Sequence, residues 1–144
     1  MSSERAPLLM IAEDDLDDQL IMRQILKEAG FEGELEFCCD GRQLLARLRD
    51  PACRHPSLVL LDLKMPRMGG LETLVEMRND ARLRALPVVA FTSSDMPRDV
   101  QQAYRHGING YVRKPGSLEK LREAIFALKH FWLDIATLPD HSLA

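Results

Sequence analysis

The residue best placed to do chemistry in this chain is Asp62. It follows the apolar run 57–61, and a loop containing Pro66, Gly69 and Gly70 comes after it. A run this apolar predicts a strand that is buried on both faces, as in a parallel sheet. Because open α/β sheets bind ligands beyond the carboxyl ends of their strands, Asp62 is a carboxylate at the expected position of an active site.

Other polar side chains follow the ends of other predicted strands. Glu13 and Asp14 follow the first strand. Thr92 follows the fourth strand, and the fifth leads to Lys114. Carboxylates brought together repel one another, and a divalent cation relieves that repulsion. Oxygen-only ligands favour Mg²⁺ over Zn²⁺. A hydroxyl and an ammonium suit a phosphoryl group, and an aspartate can accept one as a nucleophile.

The elements that must position these residues alternate between strand and helix along the chain. Strands are predicted over 8–12, 34–38, 57–61, 86–91 and 110–113. Helices are predicted over 16–29, over 41–48, after Gly70 to about Asn79, from about Met96 to near Gly107, and over 118–128. Five such alternations predict βαβ units, and therefore an α/β fold with a parallel sheet covered by helices on both faces.

Periodicity also predicts which face of each terminal helix is buried. In the first helix the apolar residues at helical spacing are Leu16, Leu20, Ile21, Ile25 and Ala29. Asp15 is the expected N-cap of that helix. In the last helix the predicted inward residues are Leu118, Leu121, Ile125 and Leu128. Ser117 is the expected cap there.

Composition narrows the function classes. The chain has 144 residues, 46% hydrophobic and 28% charged, which predicts one globular domain. Its net charge of −3, with no basic stretch, argues against nucleic acid as a partner. No apolar run is long enough to span a membrane, and the first residues lack a signal-peptide core. We therefore expect a cytoplasmic location. Three cysteines do not suggest a disulfide framework.

Four motifs, in order and on the appropriate elements, carry a family resemblance. They are Glu13-Asp14, residues 60–66, Phe91-Thr92-Ser93 and residues 111–115. Together they resemble the receiver domain of two-component response regulators, the CheY-like family, over residues 7–130. The resemblance implies a doubly wound, flavodoxin-like sheet of five parallel strands in the order 2-1-3-4-5, with five helices.

The resemblance also implies a phosphoacceptor site with its cofactor. Asp62 would accept a phosphoryl group from a histidine kinase. Asp14 and Asp62 would bind Mg²⁺ together with the backbone carbonyl of Lys64, and Glu13 would act largely through water. The chain would then be a signalling domain with self-catalysed phosphotransfer and autodephosphorylation, and not an enzyme that turns over an external substrate.

Three further residues would complete the site and its readout. Lys114 would pair with Asp62 and then with the phosphoryl oxygens. Thr92 would donate a hydrogen bond to one of those oxygens and draw its loop inward. Tyr111 would follow by turning its ring inward, so that a local charge event biases a two-state element.

Each site residue also has a purely structural interpretation. Asp62 could cap a strand end, and Glu13 and Asp14 could be solvated charges at a helix N-terminus. Thr92 could form ordinary strand-end hydrogen bonds, and Lys114 could be a surface lysine. Tyr111 could be a half-buried strand aromatic.

Two other functions compete with the signalling interpretation. Phosphatases of the haloacid dehalogenase type also use a strand-end aspartate and Mg²⁺, but they need a second carboxylate two residues after it, where this chain has Lys64. A receiver-like interaction domain that is never phosphorylated is a further alternative. The complete set of site residues argues against it.

Two positions near the site are predicted to modulate it. In receiver domains the residues two past the aspartate and two past the threonine border the path of the attacking water. Here they are Lys64 and Ser94. We expect Lys64→Asn to change the hydrolysis rate of the acyl phosphate measurably.

The ends of the chain are predicted to lie outside the receiver domain. Residues 1–6 are expected to be a tail, and 131–144 an apolar C-terminal tail. Only about fifteen residues follow the last helix, too few for a DNA-binding module. The tail could pack on its own domain, fray, or form a homodimer arm together with helix four, strand five and helix five. The strand end 91–94, the loop around Cys53 and the run 131–133 resemble regulators that pair with phytochrome-type histidine kinases and commonly dimerise.

Overall fold

A five-stranded parallel sheet organises the computed structural model, which describes residues 6–139. Its strands are β1 (Leu8–Ala12), β2 (Glu34–Cys38), β3 (Leu58–Leu61), β4 (Val88–Thr92) and β5 (Gly110–Arg113). They pair in the order β2-β1-β3-β4-β5, and every pairing is parallel. The predicted fold class and strand order are therefore confirmed.

Helices follow each strand in turn. They are α1 (Leu16–Glu28), α2 (Gly41–Arg49), α3 (Gly70–Asn79), α4 (Pro97–Arg105) and α5 (Leu118–Leu128). The two predicted N-caps are present, since Asp15 accepts hydrogen bonds from the amides of Asp17 and Asp18, and Ser117 accepts one from Lys120. Within residues 6–139, no helix is long and apolar enough to cross a membrane.

Alternation along the strands builds two hydrophobic cores, one on each face of the sheet. In β1, Leu8 and Met10 belong to the core beneath α2, α3 and α4, whereas Leu9 and Ile11 belong to the core beneath α1 and α5. Every residue of β1, β3 and β4 is buried. Burial on both faces, predicted from the apolar run before Asp62, is thus confirmed.

The buried face of α1 differs from the prediction. Met22, Ile25 and Leu26 are buried, whereas Leu16 and Leu20 are each 66% exposed. Positions 22, 25 and 26 follow the same helical spacing as the predicted series, and Ile25 belongs to both. The sheet contacts the face that carries Met22, Ile25 and Leu26. Helical periodicity alone does not determine which of the two faces is buried.

Two smaller predictions also needed correction. Leu118 is 57% exposed because it lies in the first turn of α5, while Ile125 and Leu128 further along are buried. Strand β4 begins at Val88 and not at position 86, since Leu86 donates its amide to Leu83 in a turn and Pro87 has no amide hydrogen.

The apolar segment after α5 continues as a helix. Lys129–Ile135 forms a π-helix directly joined to α5. Trp132 and Leu133 pack against the core beneath α1 and α5, whereas Phe131 and Ile135 are 51% and 60% exposed. Part of the predicted tail therefore packs on its own domain. Residues 1–5 and 140–144, which belong to the two predicted tails, lie outside the described residues.

Candidate functional site at the carboxyl edge of the sheet

The carboxylate of Asp62 lies just past the end of β3 and is buried. Its amide donates to the Ala12 carbonyl over 3.1 Å, which holds the backbone beside β1. The Oδ1 atom accepts a hydrogen bond of 3.0 Å from the amide of Lys64, and Oδ2 lies 3.4 Å from Lys114 Nζ. Asp62 is therefore oriented by the loop that follows it and faces the ammonium of Lys114, the residue directly after β5.

Close packing of the next helix supports that position. A side chain at Gly70 would meet the Asp62 carbonyl oxygen at 2.2 Å, so only glycine allows α3 to begin here. The loop between β3 and α3 is tied to α2 by Arg67, whose Nε donates to the buried Asp40 over 2.6 Å. Arg67 has a positive φ of 62°, so its backbone is in the left-handed region that disfavours most side chains.

Glu13 forms the second buried part of the site. One of its carboxylate oxygens accepts the amide of Asp15 over 3.0 Å, and the other accepts a short hydrogen bond from Lys114. Burial raises the pKa of Glu13, and the hydrogen bond from Lys114 counteracts part of that effect. Burial alone would lower the pKa of Lys114, but its hydrogen bond to Glu13 and its proximity to Asp62 raise it overall. Lys114 thus serves both carboxylates.

Three carboxylates converge at this edge. Glu13, Asp14 and Asp62 each offer an oxygen, and these oxygens all lie within 4.8 Å of one another. Glu13 and Asp62 are buried while Asp14 is exposed. An oxygen-only set that opens to solvent on one side fits a hard divalent cation such as Mg²⁺, which retains several waters. Such a cation would share Glu13 and Asp62 with the ammonium of Lys114.

A buried hydroxyl completes the edge on the β4 side. Thr92 is the last residue of β4, and its carbonyl accepts the Lys114 amide over 2.7 Å. Its hydroxyl is buried and has no hydrogen-bond partner among residues 6–139. An unpaired buried hydroxyl is costly and uncommon, and it is often explained by a ligand or ion that pairs with it.

Tyr111 connects β5 to the loop after β4. Its hydroxyl donates to the Ser94 carbonyl over 2.8 Å, and its ring packs at the edge of the core beneath α2, α3 and α4. The structure therefore places Tyr111 beside the predicted site, with its hydroxyl on Ser94 rather than on Thr92 or Asp62.

One charged residue of this region was missed by the sequence reasoning. Asp99, in the first turn of α4, contacts both Lys64 and Ser94. An acidic residue in the first turn of a helix is a recognisable sequence signal, but it predicts only a favourable helix dipole interaction. Its contacts with two site loops depend on tertiary structure.

The class of protein is defined by the strand order, by the helices on both faces of the sheet and by this acidic edge. The family model of the response regulator receiver domain matches residues 9–126, and the chain belongs to that family. Receiver domains are the signalling domains of two-component systems, in which histidine kinases are the phosphodonors.

Two curated relatives are similar to this chain over most of its length. FilR2 of Methanothrix harundinacea, a probable methanogenesis regulatory protein, is 33% identical over 92% of this chain and 88% of its own length. The response regulator Rcp1 of Synechocystis is 32% identical over 96% of this chain and 99% of its own length.

Two crystal structures match almost the whole chain. The phosphorylated cyanobacterial phytochrome response regulator RcpA superposes with a TM-score of 0.89 at 30% identity, covering 94% of this chain and 99% of RcpA. The Mn²⁺-bound form of Rcp1 superposes with a TM-score of 0.88 at 30% identity, covering 93% and 99%.

Proposed function

We propose that this response regulator accepts a phosphoryl group on Asp62 from a histidine kinase and signals through the conformational change that follows. The observation that carries the proposal is the environment of Asp62. Its buried carboxylate lies within reach of the Lys114 ammonium and of the carboxylates of Glu13 and Asp14. The Thr92 hydroxyl, which has no hydrogen-bond partner among residues 6–139, lies at the end of the adjacent strand.

The proposed transfer is a single displacement at phosphorus. A carboxylate oxygen of Asp62 forms the new bond to phosphorus, while the bond from phosphorus to the donor nitrogen breaks and its electron pair returns to that nitrogen. Lys114 balances charge on the phosphoryl oxygens. Mg²⁺, held by Asp14, Asp62 and the Lys64 carbonyl with Glu13 acting through water, would neutralise the remaining negative charge.

The proposed readout links Thr92 to Tyr111. A phosphoryl oxygen gives the Thr92 hydroxyl the partner that it lacks, which favours movement of the β4–α4 loop toward Asp62. Tyr111 is bonded to Ser94 in that loop, so the loop's movement would disturb its hydrogen bond and release the ring to turn inward. This is a local electrostatic change acting on a two-state element.

Incubation with Mg²⁺ and acetyl phosphate tests the proposal. Intact mass should rise by one phosphoryl group, and Asp62→Asn should abolish the gain. Asp14→Asn should weaken the modification by removing a metal ligand. Asp17→Asn, an exposed carboxylate on the first turn of α1, is the matched control and should leave labelling intact. Turnover of unrelated phosphate esters, or labelling unaffected by Asp62→Asn, would contradict the proposal.

The phosphodonor is proposed to be a phytochrome-type histidine kinase. The support is the similarity to RcpA, a phytochrome response regulator, over nearly the full length of both chains. Phosphotransfer from a panel of purified kinases should be fastest from a kinase of the phytochrome type. Preferential transfer from kinases of other classes would contradict this part of the proposal.

A homodimer is proposed as the signalling form, with the surface of α4, β5, α5 and the C-terminal π-helix as its interface. Phe131 and Ile135 supply exposed apolar area on that surface, as do Met96 and Phe126. Sedimentation in the presence of beryllofluoride, a phosphoryl mimic, should reveal a dimer. Sedimentation without it provides the comparison. Phe131→Ser with Ile135→Ser should yield monomers, and the exposed pair Leu16→Ser with Leu20→Ser should not.

A further inference from the structure

The carboxylate of Asp99 joins two loops that flank the proposed phosphorylation site. Its Oδ2 atom accepts a 2.5 Å hydrogen bond from the Ser94 hydroxyl, and the same atom lies 3.7 Å from Lys64 Nζ. Ser94 belongs to the loop after β4, and Lys64 to the loop after β3. Asp99 itself lies in the first turn of α4, so one side chain links three elements.

Asp99 is also connected to the aromatic residue of β5. The Ser94 backbone carbonyl accepts the hydroxyl of Tyr111 over 2.8 Å, while the Ser94 side chain bonds Asp99. The hydrogen bond from Ser94, together with the nearby ammonium of Lys64, lowers the pKa of Asp99. Asp99 is therefore an anion at neutral pH.

Lys64 contacts one carboxylate through its side chain and another through its backbone. Its backbone amide lies 3.0 Å from Asp62 Oδ1, so the residue begins beside the proposed phosphoacceptor. Its side chain is 64% exposed and is directed toward Asp99. A phosphoryl group on Asp62 would add about two negative charges beside this residue, as a phosphoryl group does on other side chains.

We propose that Asp99 is a positioning residue that holds the ammonium of Lys64 away from Asp62, and that a phosphoryl group competes with Asp99 for this ammonium. When Lys64 leaves, Asp99 keeps its hydrogen bond with Ser94 but no longer joins the loop after β4 to the loop after β3. Phosphorylation is thereby coupled to the first turn of α4. The inference rests on the proposed function, because it concerns a phosphoryl group on Asp62.

A double-mutant cycle on beryllofluoride affinity tests the competition. Asp99→Asn removes the charge but keeps an oxygen that can accept from Ser94. With Mg²⁺ present, calorimetry should find about two- to fivefold tighter beryllofluoride binding in this variant, the range expected for an exposed ion pair. The gain should disappear when Lys64→Gln is also present, because no ammonium remains to be released.

Asp95→Asn is the matched control. It removes a carboxylate from the loop that contains Ser94, but that carboxylate pairs with Arg113 at 3.4 Å and not with Lys64. Any effect of this variant should be the same with and without Lys64→Gln. Melting temperatures of all variants should be compared, so that loss of folded protein is recognised separately.

Three results would overturn the inference. Unchanged beryllofluoride affinity in Asp99→Asn would mean that Asp99 does not restrain Lys64. An equal gain in the Lys64→Gln background would mean simple repulsion between Asp99 and the phosphoryl mimic. Absence of binding and of acetyl phosphate labelling in the unmodified protein would instead refute the proposed function, and this inference with it.

Discussion

At the scale of single residues, two groups of the site stand out: the hydroxyl of Thr92 and the ammonium of Lys114. The Thr92 hydroxyl is buried at the end of β4 with no hydrogen-bond partner among the described residues. Lys114 bonds Glu13 and also lies within reach of Asp62. Both arrangements are compatible with the proposed cation and phosphoryl group, and each leads to a measurable consequence.

Thr92→Val is expected to separate stability from function. Removing a buried hydroxyl that lacks a partner should raise the free energy of unfolding by about 1 kcal/mol. The same change should weaken beryllofluoride binding roughly tenfold, because a hydrogen bond to a charged group is lost. Urea denaturation and calorimetry measure the two effects. Lower stability with unchanged beryllofluoride affinity would contradict the proposed role of Thr92.

Lys114→Met is expected to strengthen binding of Mg²⁺ alone. In its absence no ammonium competes with the cation for Glu13 and Asp62, and the carboxylates repel one another more strongly. Without metal the variant should be less stable, and saturating Mg²⁺ should restore much of that loss. Calorimetric titration with Mg²⁺ is the measurement. Lys120→Met removes an exposed lysine on α5 and should change neither the Mg²⁺ affinity nor the stability. Weaker Mg²⁺ binding in Lys114→Met would refute the argument.

At the scale of elements, one residue of the loop between β3 and α3 combines a disfavoured backbone conformation with an ion pair to α2. Arg67 has a positive φ, and its guanidinium reaches the buried carboxylate that caps α2. The amide of Gln43 and the guanidinium of Arg67 lower the pKa of Asp40. This loop carries Lys64, so the pair supports the proposed metal site from a distance.

The contribution of Asp40 should depend on pH. Its pKa is lower in the folded protein than the unfolded value of about 3.9, so its stabilising effect is complete above that value and is lost as pH falls through the folded pKa. Asp40→Asn should cost about 0.5 to 1 kcal/mol at pH 7. That difference should shrink toward pH 3 in urea denaturation. Arg67→Gln should give a similar loss at pH 7, and a pH-independent difference for Asp40→Asn would contradict this account.

The corrected face of α1 makes a second prediction for elements. Ile25 is buried under the helix, and Leu20 is largely exposed. Ile25→Ala should lower the free energy of unfolding by about 3 kcal/mol because it leaves a cavity. Leu20→Ala should change it by less than about 0.5 kcal/mol. Chemical denaturation of both variants is the measurement, and similar losses in the two would argue for the originally predicted face.

At the scale of the whole molecule, the segment after α5 has two sides with different surroundings. Trp132 and Leu133 extend the core that α1 and α5 cover, while Phe131 and Ile135 are exposed to solvent. The segment therefore belongs structurally to the domain, and it also offers an apolar surface of its own.

Trp132→Ala should destabilise the protein, and Phe131→Ala should not. Trp132 is partly buried, so its truncation should cost about 2 kcal/mol, less than for a fully buried tryptophan. Phe131→Ala should stay within about 0.5 kcal/mol at protein concentrations too low for the proposed homodimer to form. Thermal and urea unfolding measure both. Equal stability of the two variants would mean that Trp132 does not pack against the domain in solution.

Much of the fold was predictable because its signals are local. The strands over 8–12 and 34–38 were predicted with the bounds of β1 and β2, and the caps Asp15 and Ser117 were predicted correctly. The predictions were wrong where two sets of apolar residues had the same helical spacing, as on α1. They were also wrong where a turn displaced a strand, as at Leu86 before β4.

The candidate site was likewise predictable only in part. Strand-end position and residue type were enough to select Asp62, Glu13, Asp14, Thr92 and Lys114, because parallel strands bring their carboxyl ends to one edge. Sequence alone did not determine which groups pair there. Lys114 bonds Glu13 across 101 positions of the chain, and Asp99 meets both Lys64 and Ser94. Such contacts depend on the packing of elements that are distant in sequence, so only the tertiary structure decided them.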